Sequence, residues 1–280
     1  MPRTNQGGRI MRINNNLQAI NTHRQLGIST TAGSKSMEKL SSGYRINRAG
    51  DDAAGLAISE KMRGQIRGLN MASKNAQDGV SLIQTAEGAL DEVHAMLQRM
   101  RELAVQASSD TNDDGIDRAA LQKEVDALME EITAIEDRAE FNGMTLLGGG
   151  FTGKVIHIGA NAGQAMTVSI GKLSDMLALS SLSIANQTGA DSAIDTINTA
   201  INSLSTQRSA LGAIQNRLEH TIKNLDNSAE NLQAAESRVR DVDMAKEMVE
   251  QTKQNILQQA STAMLAQANQ APQSVLQLLR

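Results

Sequence analysis

The second half of the chain carries a regular aliphatic repeat. Between residues 191 and 240 an aliphatic side chain returns at every seventh position, which is the spacing of a coiled-coil seam. The helical pattern continues through residues 241–269 and ends near Pro272, since no proline interrupts it earlier. The pattern predicts a long helix over 191–240 and a further helix beyond it. The repeat consists of Ile197, Leu204, Leu211, Leu218, Leu225, Leu232 and Val239.

A second long helical pattern occupies about residues 57–106. Its apolar positions alternate in steps of three and four, which again predicts a seam. Turn-forming and capping residues at 108–115 predict the end of this helix, and a shorter helical pattern follows them, giving a helical hairpin. We expect the seam of the first half to pack against that of the second half within the chain. Its positions include Leu69, Ile83, Leu90 and Leu97.

Residues 141–190 lose the helical pattern. Two short β-branched segments, 155–158 and 166–170, flank a Gly-containing loop and predict a β-hairpin. The Ser-rich residues 174–190 predict an irregular connection. The fold class is therefore mainly α, with long antiparallel coiled-coil helices and a small β-hairpin region.

The N-terminal residues 12–40 show a weaker helical pattern. Leu17 and Ile20 belong to its apolar side, but many Asn and Thr residues lower the helix propensity. A helix of this kind is marginal alone, so we expect the chain ends to become ordered by pairing with each other or with another subunit.

Composition narrows the possible functions. The chain of 280 residues has no Cys, so disulfides and thiolate metal sites are excluded. Its net charge of −4, with thinly spread basic residues, argues against nucleic-acid binding. No run of 18 apolar residues exists, so we expect no membrane insertion. The polar start lacks the apolar core of a secretory signal, which leaves a cytoplasmic protein or export by another route.

No assembled chemical site is visible in the sequence. The four His are scattered and form no metal or nucleophile motif. Residues 110–115 resemble the first half of a calcium loop, but the twelfth position is Leu121 instead of a bidentate Glu. We therefore expect no catalytic residue, no metal and no cofactor. A structural protein that contacts other chains is favoured over a monomeric coiled-coil adaptor or an enzyme in a helical bundle.

Motifs at both ends of the chain resemble the bacterial flagellins. The resemblance covers about residues 11–170 and 190–280. The chain lacks the large variable outer domains of longer members of the family. The motifs that carry it are residues 11–21, 40–47, 49–58, 234–245 and 273–279.

The resemblance implies a subunit that polymerises into the flagellar filament, with paired N- and C-terminal helices that line the lumen. Leu17, Ile20, Val249, Ile256, Leu276 and Leu279 would make the inner-core contacts. The implied layout is an extension at 1–10, inner coiled-coil parts at 11–42 and 241–280, a spoke at 43–56, rod helices at 57–140 and 191–240, and a hairpin with connection at 141–190.

The resemblance also implies partners. These are further copies of the chain, an export chaperone that holds about residues 241–279, the flagellar secretion apparatus and the filament cap. The protein would then be secreted and extracellular, in the flagellum filament. Residues 98–106 resemble the segment read by the flagellin-sensing Toll-like receptor, with Arg99 and Leu103 central and Glu124 on the neighbouring helix.

Overall fold

A computed structural model of the protein describes residues 16–111, 113, 115–179 and 182–278, with side chains up to Ala271. In this part of the chain long helices dominate and the strands are short, so the predicted mainly α class is confirmed. The elements in order are α1 (Leu17–Ser42), α2 (Ala53–Ala107), α3 (Asp117–Arg138), β1 (Glu140–Phe141), β2 (Met144–Thr145), β3 (Lys154–His157), β4 (Ala165–Val168), α4 (Leu173–Leu177), α5 (Gln187–Arg240) and α6 (Met244–Leu278).

The chain divides into two compact units. The first unit combines the chain up to Met62 with the chain from Ala234 onward, so it contains α1, the start of α2, the end of α5, and α6. The second unit is Arg63–Gln233. Each is described by itself below.

Side-chain caps start three of the helices. The carboxamide oxygen of Asn16 accepts a hydrogen bond from the Ala19 amide at 3.1 Å, which satisfies a free donor at the start of α1. Asp52 accepts from the Gly55 amide at 2.9 Å at the start of α2. Asp243 accepts from two amides in the first turn of α6, at 3.0 and 3.2 Å. These caps fix where the helices begin.

The last helix does not end where the sequence predicts. The expected end near Pro272 is wrong, because α6 continues through it to Leu278. Proline has no amide hydrogen to donate to the carbonyl of Ala268 four residues earlier, and the side chain of Asn16 donates to that carbonyl instead.

An aliphatic core holds the second unit together. The packed face of α2 meets apolar side chains from α3, α5 and the loops that join them in one buried cluster. Its largest fully buried members include Ile83, Leu90, Leu97, Met100, Leu103, Leu146, Leu147, Ile170, Leu173, Ile184 and Ile197. Such a core is expected from a chain whose aromatic content is only 1%.

Polar contacts in the second unit fix the antiparallel register of α2 and α5. Ser73 donates to Asp226 at 2.9 Å, Arg208 lies 3.0 Å from Asp91, and Ser108 donates to Asp191. Residue numbers rise along α2 as they fall along α5 in equal steps, which is the arrangement the two aliphatic seams predict.

A buried arginine closes the turn between α2 and α3. Arg118, 5% exposed, donates to the carbonyl of Ala107 at 2.7 Å and to that of Ser109 at 2.9 Å. A cation at a helix C-terminus satisfies free carbonyls and interacts favourably with the helix dipole. The predicted helical hairpin is confirmed, and this contact holds its turn.

Two antiparallel hairpins follow α3. In β1–β2, Glu140 pairs with Thr145 and Phe141 with Met144, so Asn142 and Gly143 form a two-residue turn with φ of 50° and 74°. Asn-Gly favours this type I′ geometry because both positions need positive φ. In β3–β4, Lys154 pairs with Val168 and His157 with Ala165. The predicted hairpin is confirmed to within one or two residues at its strand ends.

The connection before α5 is more ordered than the sequence predicts. The expectation of irregular chain over 174–190 is wrong at both ends, because α4 occupies Leu173–Leu177 and α5 already begins at Gln187. The buried carboxylate of Glu136 accepts from the Ser174 amide at 2.8 Å, and Leu173 and Leu177 are buried in the core. These tertiary contacts overcome the low helix propensity of the Ser-rich segment.

Candidate assembly surfaces

The helices α1 and α6 pack against each other through small and polar side chains. Ser29 and Ser36 are the buried residues of α1, and Gly33 lies between them. A β-carbon built on Gly33 would stand 3.7 Å from the Cβ of Gln254, which is ordinary van der Waals contact. Small residues let the two backbones approach closely. The interface therefore uses few large apolar side chains.

Hydrogen bonds and charges also join this pair. Asn16 donates from its side chain to the Ala268 carbonyl at 2.6 Å, and Lys39 lies 4.0 Å from Glu247. Along α6, hydrogen bonds from Gln254 and then Lys253 lower the pKa of Glu250 below its ordinary value. Contacts of this kind orient helices, but exposed ion pairs contribute little net stability.

The large apolar side chains of the two helices are exposed instead. Leu17 and Ile20 of α1 are 70% and 59% exposed, and Val249 and Ile256 of α6 are 71% and 60% exposed. In the described part of the first unit, only Ile46 and Ala268 are buried hydrophobic residues. The first unit thus leaves on its surface the kind of side chain that the second unit buries. Contiguous exposed apolar surface is typical of an interaction site.

Each helix carries a shallow groove on its exposed side. The groove on α1 is lined by Gly27, Ile28, Thr31 and Ala32, with Arg24 and Lys35 at its ends. The groove on α6 is lined by Met248, Val249, Thr252, Lys253 and Ile256. Among these lining residues there is no carboxylate and no imidazole, and the floor of each groove is mostly apolar, so both grooves suit the packing of an apolar ridge from another chain.

A joint, residues 43–56, comprises the connection after α1 and the first turn of α2 within the first unit. The Val242 amide donates to the Gly43 carbonyl at 3.0 Å, and the Arg45 amide donates to the Arg240 carbonyl at 2.7 Å. The Arg240 guanidinium lies 4.8 Å from the Tyr44 ring centroid and 2.9 Å from Glu60. Sequence reasoning missed Arg240 and Tyr44 as a pair, although Tyr44 is the one tyrosine of the chain.

The middle of the joint is tightly packed. Ile46 is buried, and a β-carbon at Gly55 would lie 2.7 Å from its Cδ1 and still closer to the Asp52 carboxylate. The neighbouring Asp51 accepts hydrogen bonds from the Arg48 amide at 3.1 Å and the Asn47 amide at 3.3 Å. These bonds, led by that from Arg48, lower the pKa of Asp51 below its ordinary value. Gly55 is therefore required by space rather than by backbone conformation.

The proposed seam residues differ in burial along the helices. Leu69, Leu232 and Val239 are half-buried, near the ends of the seams. The seam residues between them are buried, namely Ile83, Leu90, Leu97, Ile197, Leu204, Leu211, Leu218 and Leu225.

The proposed receptor residues occupy two different environments. Arg99 forms a surface ion pair with Glu124 at 2.8 Å and a second with Glu102 at 3.1 Å. The hydrogen bonds that Arg99 donates to Glu124, and then to Glu102, raise the pKa of Arg99 above its ordinary value. Leu103 is buried in the core. Only the two charged residues of the three are therefore available at the surface.

Some predicted residues cannot be placed. Leu279 and residues 1–10 lie outside the described residues, and the side chain of Leu276 lies outside the described side chains. In the described chain, no group of three His, Asp or Glu side chains could hold a metal ion. No helix of this part is long and apolar enough to cross a membrane.

Comparisons with known proteins decide the family. Residues 13–152 match the bacterial flagellin N-terminal helical region, and residues 194–279 match the bacterial flagellin C-terminal helical region. A flagellin from Halalkalibacterium halodurans is 62% identical over 96% of this chain and its own full length. The chain belongs to the bacterial flagellins.

Other members of the flagellin family agree with this assignment. A Bacillus subtilis flagellin is 55% identical, and a Treponema maltophilum flagellar filament 31.3 kDa core protein is 51% identical, each over 96% of this chain and its own full length. The crystal structure of Bacillus cereus flagellin matches with a TM-score of 0.51 and 30% identity, covering 58% of this chain and 94% of that one. This flagellin is a short form without a large outer domain. It is a structural subunit that polymerises into the flagellar filament, and it is not an enzyme.

Proposed function

We propose that α1 and α6 carry the contacts between subunits through their exposed apolar faces. The supporting observation is that large apolar side chains are exposed on two helices whose shared interface consists of small and polar side chains. The exposed side chains are Leu17, Ile20, Val249 and Ile256. Burying these side chains against other copies removes apolar area from water, at about 25 cal/mol per Å². The occupant of these faces is a second copy of the chain, because flagellins polymerise.

The proposed layout within the filament follows the family resemblance. Residues 11–42 and 241–280 form the inner tube, 43–56 the spoke, and 57–140 with 191–240 the surrounding rod. The hairpin and connection occupy 141–190. On this proposal the seam residues stabilise each subunit, while Leu276 and Leu279 join the four exposed residues in the inner-core contacts. The large apolar side chains are buried in the second unit and exposed in the first, which supports these two roles.

We further propose export in an unfolded or partly folded form. The first unit has little apolar core among its described residues, so its helices gain most of their stability only on assembly. A weakly folded chain end suits passage through the flagellar secretion apparatus, followed by incorporation beneath the filament cap outside the cell. Before export, the apolar α6 segment would be held by a chaperone. A variant lacking 241–280 should then form no stable chaperone complex, and recovery of that complex would count against the proposal.

For an immune receptor of the Toll-like class, we propose recognition of the surface pair Arg99 and Glu124. Both are exposed on neighbouring helices and already oriented by their ion pair. Leu103 would contribute from beneath, by packing α2 into the core so that Arg99 is held in place.

Substitution of the exposed faces tests the assembly proposal. The double variant Val249→Asp, Ile256→Asp puts two charges on α6, and we expect no growth on filament seeds. The control is Val155→Asp, at an exposed apolar position of β3 in the second unit. We expect the control to polymerise and both proteins to keep the helical circular dichroism of the second unit. Normal growth of the double variant would remove the proposal.

A further inference from the structure

Four methionines of the first unit have exposed side chains. Met37 of α1 and Met244, Met248 and Met264 of α6 are between 47% and 61% exposed. In the second unit, Met100 and Met166 are buried in the core. Met248 also lines the α6 groove beside Val249 and Ile256. The α6 groove proposed for assembly therefore presents a thioether as well as inert aliphatic groups, and the other three methionines are exposed on α1 and α6.

Composition makes these thioethers the main target of a mild oxidant. The chain has 14 Met, no Cys and no Trp. Leu, Ile and Val side chains do not react with peroxide under mild conditions, whereas an accessible Met sulfur is converted to the sulfoxide. Exposed Met should react before buried Met, since the peroxide must reach the sulfur.

We propose that Met37, Met244, Met248 and Met264 form an oxidation-sensitive site that controls whether a subunit can enter the filament. The oxidant is a peroxide. Its O–O bond breaks, one oxygen forms an S=O bond with the thioether sulfur, and the other leaves as water. The sulfur is oxidised by two electrons and the peroxide is reduced by two. This proposal rests on the assembly role of α1 and α6 given above.

The physical effect is a polar group on a surface that must become dry. A sulfoxide is a strong hydrogen-bond acceptor. In the groove of Met248, Val249 and Ile256 offer no donor, and the hydroxyl of Thr252 and the ammonium of Lys253 already donate to the Met248 carbonyl and the Glu250 carboxylate. Burying an unpaired polar group opposes association, so oxidation of these residues should raise the critical concentration for polymerisation about tenfold or more. The modification is reversible by methionine sulfoxide reductases, of which one type is needed for each sulfoxide epimer.

The experiment treats purified full-length monomer with hydrogen peroxide and measures both oxidation and growth. Peptide mass spectrometry should show oxidation at the four proposed positions, and also at the exposed Met71 and Met144, while Met100 stays largely reduced. The critical concentration on filament seeds should then rise about tenfold or more, and treatment with both reductase types should restore it. Unchanged growth of subunits oxidised at these four positions would overturn the proposal.

Matched variants separate this site from other methionines. The variant with Met37, Met244, Met248 and Met264 all changed to Leu should polymerise like the parent and resist peroxide. The control Met71→Leu, Met144→Leu removes two exposed methionines of the second unit and should stay sensitive. Loss of growth on oxidation of the fourfold variant, or resistance of the control, contradicts the proposal. If the fourfold variant does not assemble, the control Met71→Leu, Met144→Leu decides: the proposal requires that peroxide blocks its growth and that both reductase types restore it.

The two proposals fail in different ways. If Val249→Asp, Ile256→Asp polymerises normally, the assembly role of α6 is lost. If that variant is blocked but peroxide-treated parent grows at the untreated rate, the assembly role stands and only the oxidation-sensitive site is rejected.

Discussion

The side chain of Asn16 joins the start of α1 to the far part of α6, with its Nδ2 2.6 Å from the carbonyl oxygen of Ala268. Its Oδ1 caps α1 by accepting from the Ala19 amide. One residue thus both begins the helix and sets its position along the partner helix. Because the interface between these helices consists of small and polar side chains, directed hydrogen bonds contribute more to the alignment of the helices here than in the aliphatic core.

Replacement of Asn16 by Ala should weaken the pairing of α1 with α6. Loss of the cap alone costs about 0.5–2 kcal/mol, and the bond to Ala268 is lost with it. We expect faster amide hydrogen exchange over Leu17–Ser42 in the variant, measured by mass spectrometry on filaments. Gln18→Ala, at an exposed neighbouring position, is the control. Equal exchange in both variants would show that Asn16 does not hold the pair.

Because the packing around Gly55 is tight, we expect replacement of Gly55 by Ala to destabilise the filament. In Gly55→Ala the new methyl group collides with Ile46 and displaces the Asp52 carboxylate that caps α2, which should cost about 1–3 kcal/mol. Gly64→Ala is the matched control, because a β-carbon there meets nothing within 4 Å. The control should stabilise α2 by about 0.5–1 kcal/mol. Thermal melting of filaments should place the first variant below the parent and the control at or above it.

Buried and exposed aliphatic residues should respond differently to truncation. Leu90 is fully buried, so Leu90→Ala should lower the free energy of unfolding of the monomer by about 2–5 kcal/mol. Ile20→Ala removes an exposed side chain and should change that free energy by less than about 0.5 kcal/mol. We expect only Ile20→Ala to raise the critical concentration without loss of monomer stability. Denaturant titration of the monomer, followed by seeded growth, separates the two effects.

The receptor proposal depends on charge at one surface pair. Arg99→Asp reverses the charge and breaks the bond to Glu124, so signalling by monomeric protein through the flagellin-sensing receptor should fall. The fold should remain, because exposed ion pairs are worth about 0–1 kcal/mol. Arg138→Asp, at another exposed arginine paired with Glu131 on α3, is the control. Signalling that is equal in the parent and in Arg99→Asp would reject the assignment.

Periodicity predicted most of the helical framework. The aliphatic residues spaced seven apart from Ile197 to Leu225 are buried on α5. Burial of one helix face requires apolar residues at the helical repeat, so the sequence carries that spacing. The Asn-Gly turn at 142–143 was also predictable, since its positive φ angles favour those two residues. These features depend on local chemistry or on one repeating face.

Contacts between distant residues were beyond the sequence patterns. The helix α4 depends on Glu136, and the joint depends on the stacking of Arg240 on Tyr44. No local motif marks either contact. The sequence also did not predict the interface around Ser29, Ser36 and Gly33, because its small and polar side chains form no apolar repeat. The exposure of Leu17 and Ile256 could not be predicted either, because it depends on which faces of α1 and α6 pack together.

Cysteine labelling tests the assembly proposal most directly. The chain has no natural Cys, so single variants Val249→Cys and Ile20→Cys each report one position without background. Maleimide labelling rates should be compared in monomer, in filament and in denaturant. We predict rapid labelling in the monomer, where these sites are exposed, and at least tenfold slower labelling in the filament, where a tenfold change corresponds to about 1.4 kcal/mol. Equal rates in monomer and filament would contradict the assignment of these faces to subunit contacts.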